Sequence, residues 1–292
     1  MPKNKQFGDF ETEYTNSETA AISILPVPYD GTSTWVKGAD KGPGAILDAS
    51  YNLEFYDIET DSEVFRKGIF TESAVKGFDT PEEVAEVVRQ RMSALLDKDK
   101  FPVVLGGEHS VSIGVFEAMA EKYSDLTILQ LDAHADLRDE YEGSTHNHAC
   151  VMARAKEHAP IVQVGIRSMD AAEKKNMDTG RVFFAHEICN DAGRGWIERV
   201  IPLLTDNVYL TIDLDVFDPS VMPATGTPEP GGLGWYDVTA LIRAVCEARN
   251  LTGFDLVELC PREHLWSCDF LTAKLLYKIL TYKFCLGITN EH

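Results

Sequence analysis

The sequence predicts a single α/β domain, in which a parallel sheet of about eight strands is covered by helices on both faces to give three layers. Three observations carry that expectation. Short apolar runs alternate along the chain with helical stretches. Two of those runs end in alternating acids, at the strand ends where open parallel sheets place their sites. No internal repeat, low-complexity tract or Pro/Ser-rich linker divides the 292 residues, and single α/β domains reach this size.

In chain order, residues 1–20 are polar and are expected as a loose N-terminal arm, with 21–292 as the domain. Ala21–Val27 reads as the first strand. A long loop follows, and Gly42-Pro43-Gly44 opens a helix toward Ala49. Ile69–Val75 reads as a second strand. Thr80-Pro81-Glu82-Glu83 is a helix start, with a capping threonine, proline at the first helical position and glutamate three residues on. Val84, Val87, Val88 and Leu95 continue it as an apolar stripe at helical spacing. Pro102–Leu105 is a short strand ending in Gly106-Gly107-Glu108-His109, followed by a helix through Tyr123. Leu126–Leu129 begins a strand buried on both faces. Further apolar runs lie at 161–164, 182–184, 208–214 and 254–259. Helices are expected between them near 149–157, 195–204, 238–248 and 270–280.

Composition narrows the function. A formal charge of −20 argues against nucleic acid or an anionic membrane as partner and suits a cationic substrate. The N-terminus lacks the apolar segment of a secretory signal, and no run approaches a membrane span. Six scattered cysteines without a CxxC fit reduced core thiols in the cytoplasm.

The chemistry concentrates in two stretches. LTILQLDAHADLRDEYE (126–142) delivers Asp132, His134 and Asp136 from a strand end, two residues apart; on an extended backbone such side chains point the same way. VYLTIDLDVFDP (208–219) ends in Asp213 and Asp215, with Leu214 between them directed into packing. A surface acidic loop would explain neither the small Ala133 and Ala135 nor the apolar strands that feed these acids. His109, closing a Gly-Gly turn, makes a sixth candidate ligand. Four carboxylates and two imidazoles exceed one zinc site and suit two divalent ions, Mn²⁺ more than Zn²⁺. Two such ions acidify a shared water and template its attack, which points to metal-assisted hydrolysis.

At these residues the sequence resembles the ureohydrolase family of arginases, agmatinases, guanidinobutyrases and formimidoylglutamases, bacterial agmatinases above all. LGGEHSVSIG (105–114), LDAHADL (131–137) and TIDLDVFDPSVMPATGTPEPGG (211–232) carry the resemblance, in that order, over nearly the whole chain. It implies an arginase-like fold and two Mn²⁺ per subunit. His109, Asp132, Asp136 and Asp213 would hold one ion, and Asp132, His134, Asp213 and Asp215 the other. Asp136 would also orient the attacking water, His148 would shuttle a proton to the leaving amine, and Glu258 would grip the substrate guanidinium. His146 is the rival for the shuttle. The reaction implied is cleavage of a guanidino group to urea and an amine, agmatine to putrescine first among the candidates. Guanidinobutyrate, aminopropylagmatine, formimidoylglutamate and arginine are the alternative substrates, and a non-catalytic metal-binding homologue is a more distant one. The loop 137–143 places Arg138 and Asp139 as substrate-binding candidates; the acids there suit a free amine, whereas Arg138 would suit a carboxylate. A trimer or hexamer is expected from the same resemblance. Trp35, Trp235 and Trp266 are expected to pack, and His158, His186, His264 and His292 to be structural or exposed.

Overall fold

The computed structural model describes residues 5–191 and 193–286. Its eight strands are β1 (Ile22–Val27), β2 (Ile69–Thr71), β3 (Phe101–Gly106), β4 (Leu126–Leu131), β5 (Ile161–Ile166), β6 (Val182–Phe184), β7 (Asn207–Asp213) and β8 (Asn250–Val257). They form one sheet in the order β2-β1-β3-β8-β7-β4-β5-β6, and every pairing is parallel. The helices are α1 (Gly42–Ser50), α2 (Pro81–Leu96), α3 (Ser112–Lys122), α4 (Val151–His158), α5 (Ala185–Cys189), α6 (Gly195–Val200), α7 (Trp235–Ala248) and α8 (Trp266–Cys285).

Alternation along the strands divides the core in two. Ile24 of β1, Val103 of β3 and Ile212 of β7 face one side, where α1, α7 and α8 cover them. Leu25, Val104 and Tyr209 face the other, under α2, α3 and α4. The sheet is therefore apolar on both faces, as a three-layer fold requires. Helix α2 begins as its sequence indicates: the Thr80 hydroxyl accepts from the Glu83 amide, and the Glu83 carboxylate accepts from that of Thr80.

Several boundaries differ from the sequence expectation. β2 ends at Thr71, although Glu72 and Val75 still donate to Ile24 and Pro26 of β1. β8 starts at Asn250; Thr252 and Gly253 break the apolar run that would have marked its first half. The 20-residue α8 extends beyond 270–280 at both ends, and the short α5 has no periodic signal. The polar arm is not loose over its described part. Phe7 is fully buried, its amide donates to the Thr71 hydroxyl at 2.9 Å, and the Gly8 amide donates to the Ser50 hydroxyl at 2.9 Å. Phe10 stacks on Phe65. Among the described residues no helix is long and apolar enough to cross a membrane. All six cysteines are free; Cys189 is exposed and so fills no core.

Candidate metal centre

The four central strands, β3, β8, β7 and β4, bring the candidate residues to one end of the sheet. His109 follows β3 in a single 3-10 turn. Gly107 makes that turn possible, since a Cβ there would lie 1.9 Å from the Tyr29 carbonyl oxygen. Asp213 ends β7, and its Oδ1 accepts from the Asp215 amide at 2.8 Å, which curls residues 214–216 into a turn. Asp215 Oδ1 in turn accepts from the Ala133 amide at 2.9 Å, tying the ends of β7 and β4 together.

Asp132, His134 and Asp136 do not converge by alternating on an extended strand, as the sequence suggested. β4 stops at Leu131. Asp132 Oδ1 accepts from the His134 amide at 2.6 Å, and Asp136 takes a left-handed φ of +53°. The first turn of α4 holds that strained residue, with Met152 and Ala153 donating to the Asp136 carbonyl. Loop hydrogen bonding, rather than strand pleating, aims these side chains.

The result is two overlapping groups with ligand atoms within 4.8 Å of one another: His109, Asp132 and Asp213, and Asp132, His134 and Asp215. Asp132 belongs to both. Asp213, expected in both, falls in the first alone. Asp136 joins through His109, whose Nδ1 is 3.2 Å from Asp132 Oδ2, 3.2 Å from Asp136 Oδ2 and 3.7 Å from Asp213 Oδ2. His134 Nδ1 lies 2.8 Å from Asp215 Oδ2.

These residues fit a pair of divalent cations. His109 Nδ1 is buried amid carboxylate oxygens yet makes no hydrogen bond. Its other nitrogen, Nε2, is 2.8 Å from the Thr211 hydroxyl, which donates its one proton to Asp255 at 2.7 Å. Thr211 must then accept from Nε2–H; burial opposes a charge on His109, but Asp132 and Asp136 outweigh it and push its pKa well above the ordinary range, and an ion displacing that proton would meet a bare Nδ1. Electrostatics agree. Burial pushes Asp213 well above the ordinary carboxylate range, with the Asp215 and Asp132 charges adding to it. Burial and the Asp132 charge raise Asp136 to about 7. Burial opposes a charge on His134, but Asp215 and Asp132 outweigh it and push its pKa up to about 12. Without ions, protons supply the positive charge that the cluster demands.

A cavity of about 320 Å³ opens above these acids. Glu258, just beyond β8 and also at positive φ (+66°), lines it; Glu258 Oε1 accepts from the His109 amide at 2.8 Å. Burial, and then the nearby Glu108 charge, push its pKa well above the usual range. His148 lines the cavity as well, whereas His146 turns to Thr145 and Glu82 outside it. Burial, followed by the positive charges of His134 and His109, pushes His148 down to about 4, so it is neutral at pH 7.

Arg138 reaches the cavity and stacks 4.4 Å over the Tyr141 ring. Asp139 does not reach it; its carboxylate lies beside Lys175 at 3.3 Å and Asn176 at 3.2 Å. Trp35 does not pack, being 77% exposed at the cavity rim, and Trp266 is exposed too. Trp235 rests partly buried on the core. His186 stacks on Phe184, His264 is exposed, and His292 lies outside the described residues.

Sequence reasoning missed a supporting layer. Gln130 of β4 donates to Asp132 Oδ2 at 2.7 Å, and its register partner Gln163 of β5 donates to Gln130 Oε1 at 2.6 Å and to the Ala135 carbonyl at 2.8 Å. The signal was available as glutamine inside fully buried strands, where a polar group needs a partner. Glu173 was missed as well; its carboxylate accepts from the Leu137 and Asp170 amides and sets the loop that carries Arg138.

Comparison with known proteins agrees with this architecture. An arginase family model matches residues 20–281. An N(1)-aminopropylagmatine ureohydrolase of Synechocystis sp. is 39% identical over 95% of this chain and 94% of its own. An agmatinase of Pyrococcus horikoshii is 31% identical over 93% and 95%. Among solved structures, the agmatine ureohydrolase of Thermoplasma volcanium superposes with a TM-score of 0.86 at 31% identity, over 96% of this chain and 94% of that one. With a parallel eight-stranded sheet, acids gathered at its central strand ends and a family match over nearly its whole length, the chain belongs to the arginase family.

Proposed function

We propose that the protein hydrolyses the guanidino group of a linear cation to urea and an amine, using two Mn²⁺ held by His109, Asp132, His134, Asp136, Asp213 and Asp215. One observation carries this reading: two candidate ligand groups sharing Asp132 lie under a cavity that also receives Glu258 and His148. Bound there, the ions would supply an acidified water at neutral pH and positive charge where negative charge develops.

The chain's own residues supply the rest. Glu258 is buried and acceptor-only when ionised, which suits a planar guanidinium. A bound cation would draw its proton off despite the raised pKa, because opposite charge favours the ionised form. Asp136 accepts a hydrogen bond from the attacking water and aligns it. Neutral His148 takes up a proton and gives it to the departing amine, which needs that proton to leave.

Agmatine is the first substrate to test. N(1)-aminopropylagmatine is the second reading, favoured by the 39% identity to the relative named for it. The protein is further proposed to be a cytoplasmic homo-oligomer, trimer or hexamer, which light scattering of the purified chain checks. Urea release by the Mn²⁺-loaded protein, measured side by side on agmatine, N(1)-aminopropylagmatine, arginine and 4-guanidinobutyrate, tests the main proposal; formamide release from formimidoylglutamate is followed in parallel. Urea from either polyamine substrate supports it. Preference for a carboxylate-bearing substrate would make Arg138 the selecting residue. No turnover of any of them with two ions bound would overturn it.

A further inference from the structure

Trp35 stands bare on a loop that is otherwise tied down. Asp30 Oδ2 accepts from the Gly38 amide at 2.6 Å and the Ala39 amide at 3.1 Å, which draws the two ends of loop 30–38 together. Lys37 Nζ donates to the Asp30 and Gly31 carbonyls at 3.3 and 3.0 Å, and the Cys260 thiol donates to the Lys37 carbonyl at 3.4 Å. Thr32 accepts from the His148 amide at 3.0 Å and fastens the loop beside the cavity. Between these ties, residues 33–36 form part of the cavity wall. The Val36 carbonyl comes so near Gly226 that a Cβ there would lie 3.3 Å from it. An anchored loop that holds an indole in water at a cavity rim, instead of folding it onto the core, leaves a large apolar face for a ligand to cover.

The charges lining the same cavity say which ligand. Arg138 is the arginine of the lining, but its charge is already met: its nitrogens lie 3.9 Å from Asp170 Oδ2 and 3.9 Å from Glu173 Oε2, and both acids line the cavity too. Two carboxylates against one guanidinium leave that part of the wall negative. A carboxylate at the far end of a substrate would be repelled there, and an ammonium drawn in. The face of an indole acts in the same sense, since its π cloud attracts cations while its area shelters methylene groups. We infer that Trp35 is the specificity-determining residue for the substrate's tail: its ring covers the methylene chain and meets the ammonium of a guanidinoalkylamine. Guanidino acids are disfavoured by the same wall. The inference rests on the guanidino head being seated at Glu258, as in the proposed function.

Kinetics and binding test it separately. In the Mn²⁺-loaded enzyme, Trp35→Ala should raise the KM for agmatine about tenfold with kcat within about twofold, because the contact is made equally in the ground and transition states. Trp35→Phe keeps an aromatic face and should hold KM within about threefold of wild type. The second readout needs no turnover. Tryptophan emission of the Mn²⁺-loaded His148→Asn protein is titrated with agmatine and with 4-guanidinobutyrate. Agmatine should shift the emission while Trp35 is present and leave it unmoved once Trp35→Phe is added; 4-guanidinobutyrate should bind about tenfold more weakly or worse. Emission unmoved by agmatine, an equal response after Trp35→Phe, equal affinity for the two ligands, or an unchanged KM in Trp35→Ala overturns the inference. Absence of urea release by the wild type would instead sink the proposed function, and the emission titration would then decide alone whether Trp35 covers a bound alkylammonium.

Discussion

Removing the charge of one acid should change how the metal-free protein responds to pH. Asp136 is 6% exposed, and burial with the adjacent Asp132 charge raises its pKa from 3.8 to about 7. A folded-state pKa above the unfolded value means that the native chain keeps a proton which the unfolded chain has already released. The stability from that proton is fully present below about pH 4 and is lost as the pH rises through about 7. Between pH 5 and pH 7 the extra proton on the native acid falls from nearly one to one half, so at about 1.4 kcal/mol per proton and pH unit the loss integrates to about 2.3 kcal/mol. At roughly 2 °C per kcal/mol for a chain of this length, the midpoint falls by about 5 °C over that range on account of Asp136 alone. The assay is thermal unfolding by circular dichroism in chelator at pH 5, 6, 7 and 8, for the wild type and Asp136→Asn. Other buried groups titrate too, His148 among them, so the readout is the difference between the two profiles: the variant should lose about 5 °C less. Saturating Mn²⁺ should remove most of the wild-type decline, since the ions replace the protons. Superimposable profiles, or a metal-free wild type that gains stability from pH 5 to pH 7, would refute the reasoning.

Asp132→Ala should abolish urea release and lower bound Mn²⁺, because Asp132 belongs to both candidate ligand groups; wild-type turnover with unchanged metal content rules the ligand map out. His148→Asn should reduce kcat by about 10²–10⁴ while the Mn²⁺ content holds, and His146→Asn should change neither, as steady-state kinetics with metal analysis will show. Glu258→Gln keeps the shape of the side chain but removes its charge; losing charge-assisted hydrogen bonds of about 2–3 kcal/mol should lower kcat/KM roughly 30- to 150-fold. Gln163→Leu frees Gln130 from its anchor and should weaken Mn²⁺ binding by about 10- to 100-fold in titration calorimetry, with wild-type affinity contradicting the role given to the paired glutamines.

What the sequence reveals and what it hides follow from how local each cause is. The parallel sheet is legible because buried strands such as Leu126–Leu131 and Val208–Ile212 are mostly apolar runs, and because Thr80-Pro81-Glu82-Glu83 carries its own capping chemistry. The candidate ligands are legible because their side-chain chemistry is written in the motif. The means of aiming them is not. Convergence of Asp132 and Asp136 depends on an aspartate-capped turn and a positive φ, neither of which an alternating pattern reveals. Asp139 shows the same limit: an acid in the right loop, held by Lys175 and Asn176 on a neighbouring segment, faces away from the cavity. Thr32 lies 116 residues from His148 in sequence, and no local signal joins them.

The strand order bears on how the chain is made. β8 is the last strand to be synthesised, yet it lies between β3 and β7, near the middle of the sheet. Before residues 250–257 emerge, the sheet exists only as two separate pieces, β2-β1-β3 and β7-β4-β5-β6, each with an open apolar edge where β8 belongs. Such edges invite pairing with other chains, so a nascent or prematurely ended product is prone to aggregate. His109 and Asp213 belong to different pieces in that interval, and only the arrival of β8 sets them face to face. Capture of metal by the assembled cluster would therefore mark the completion of folding rather than its start.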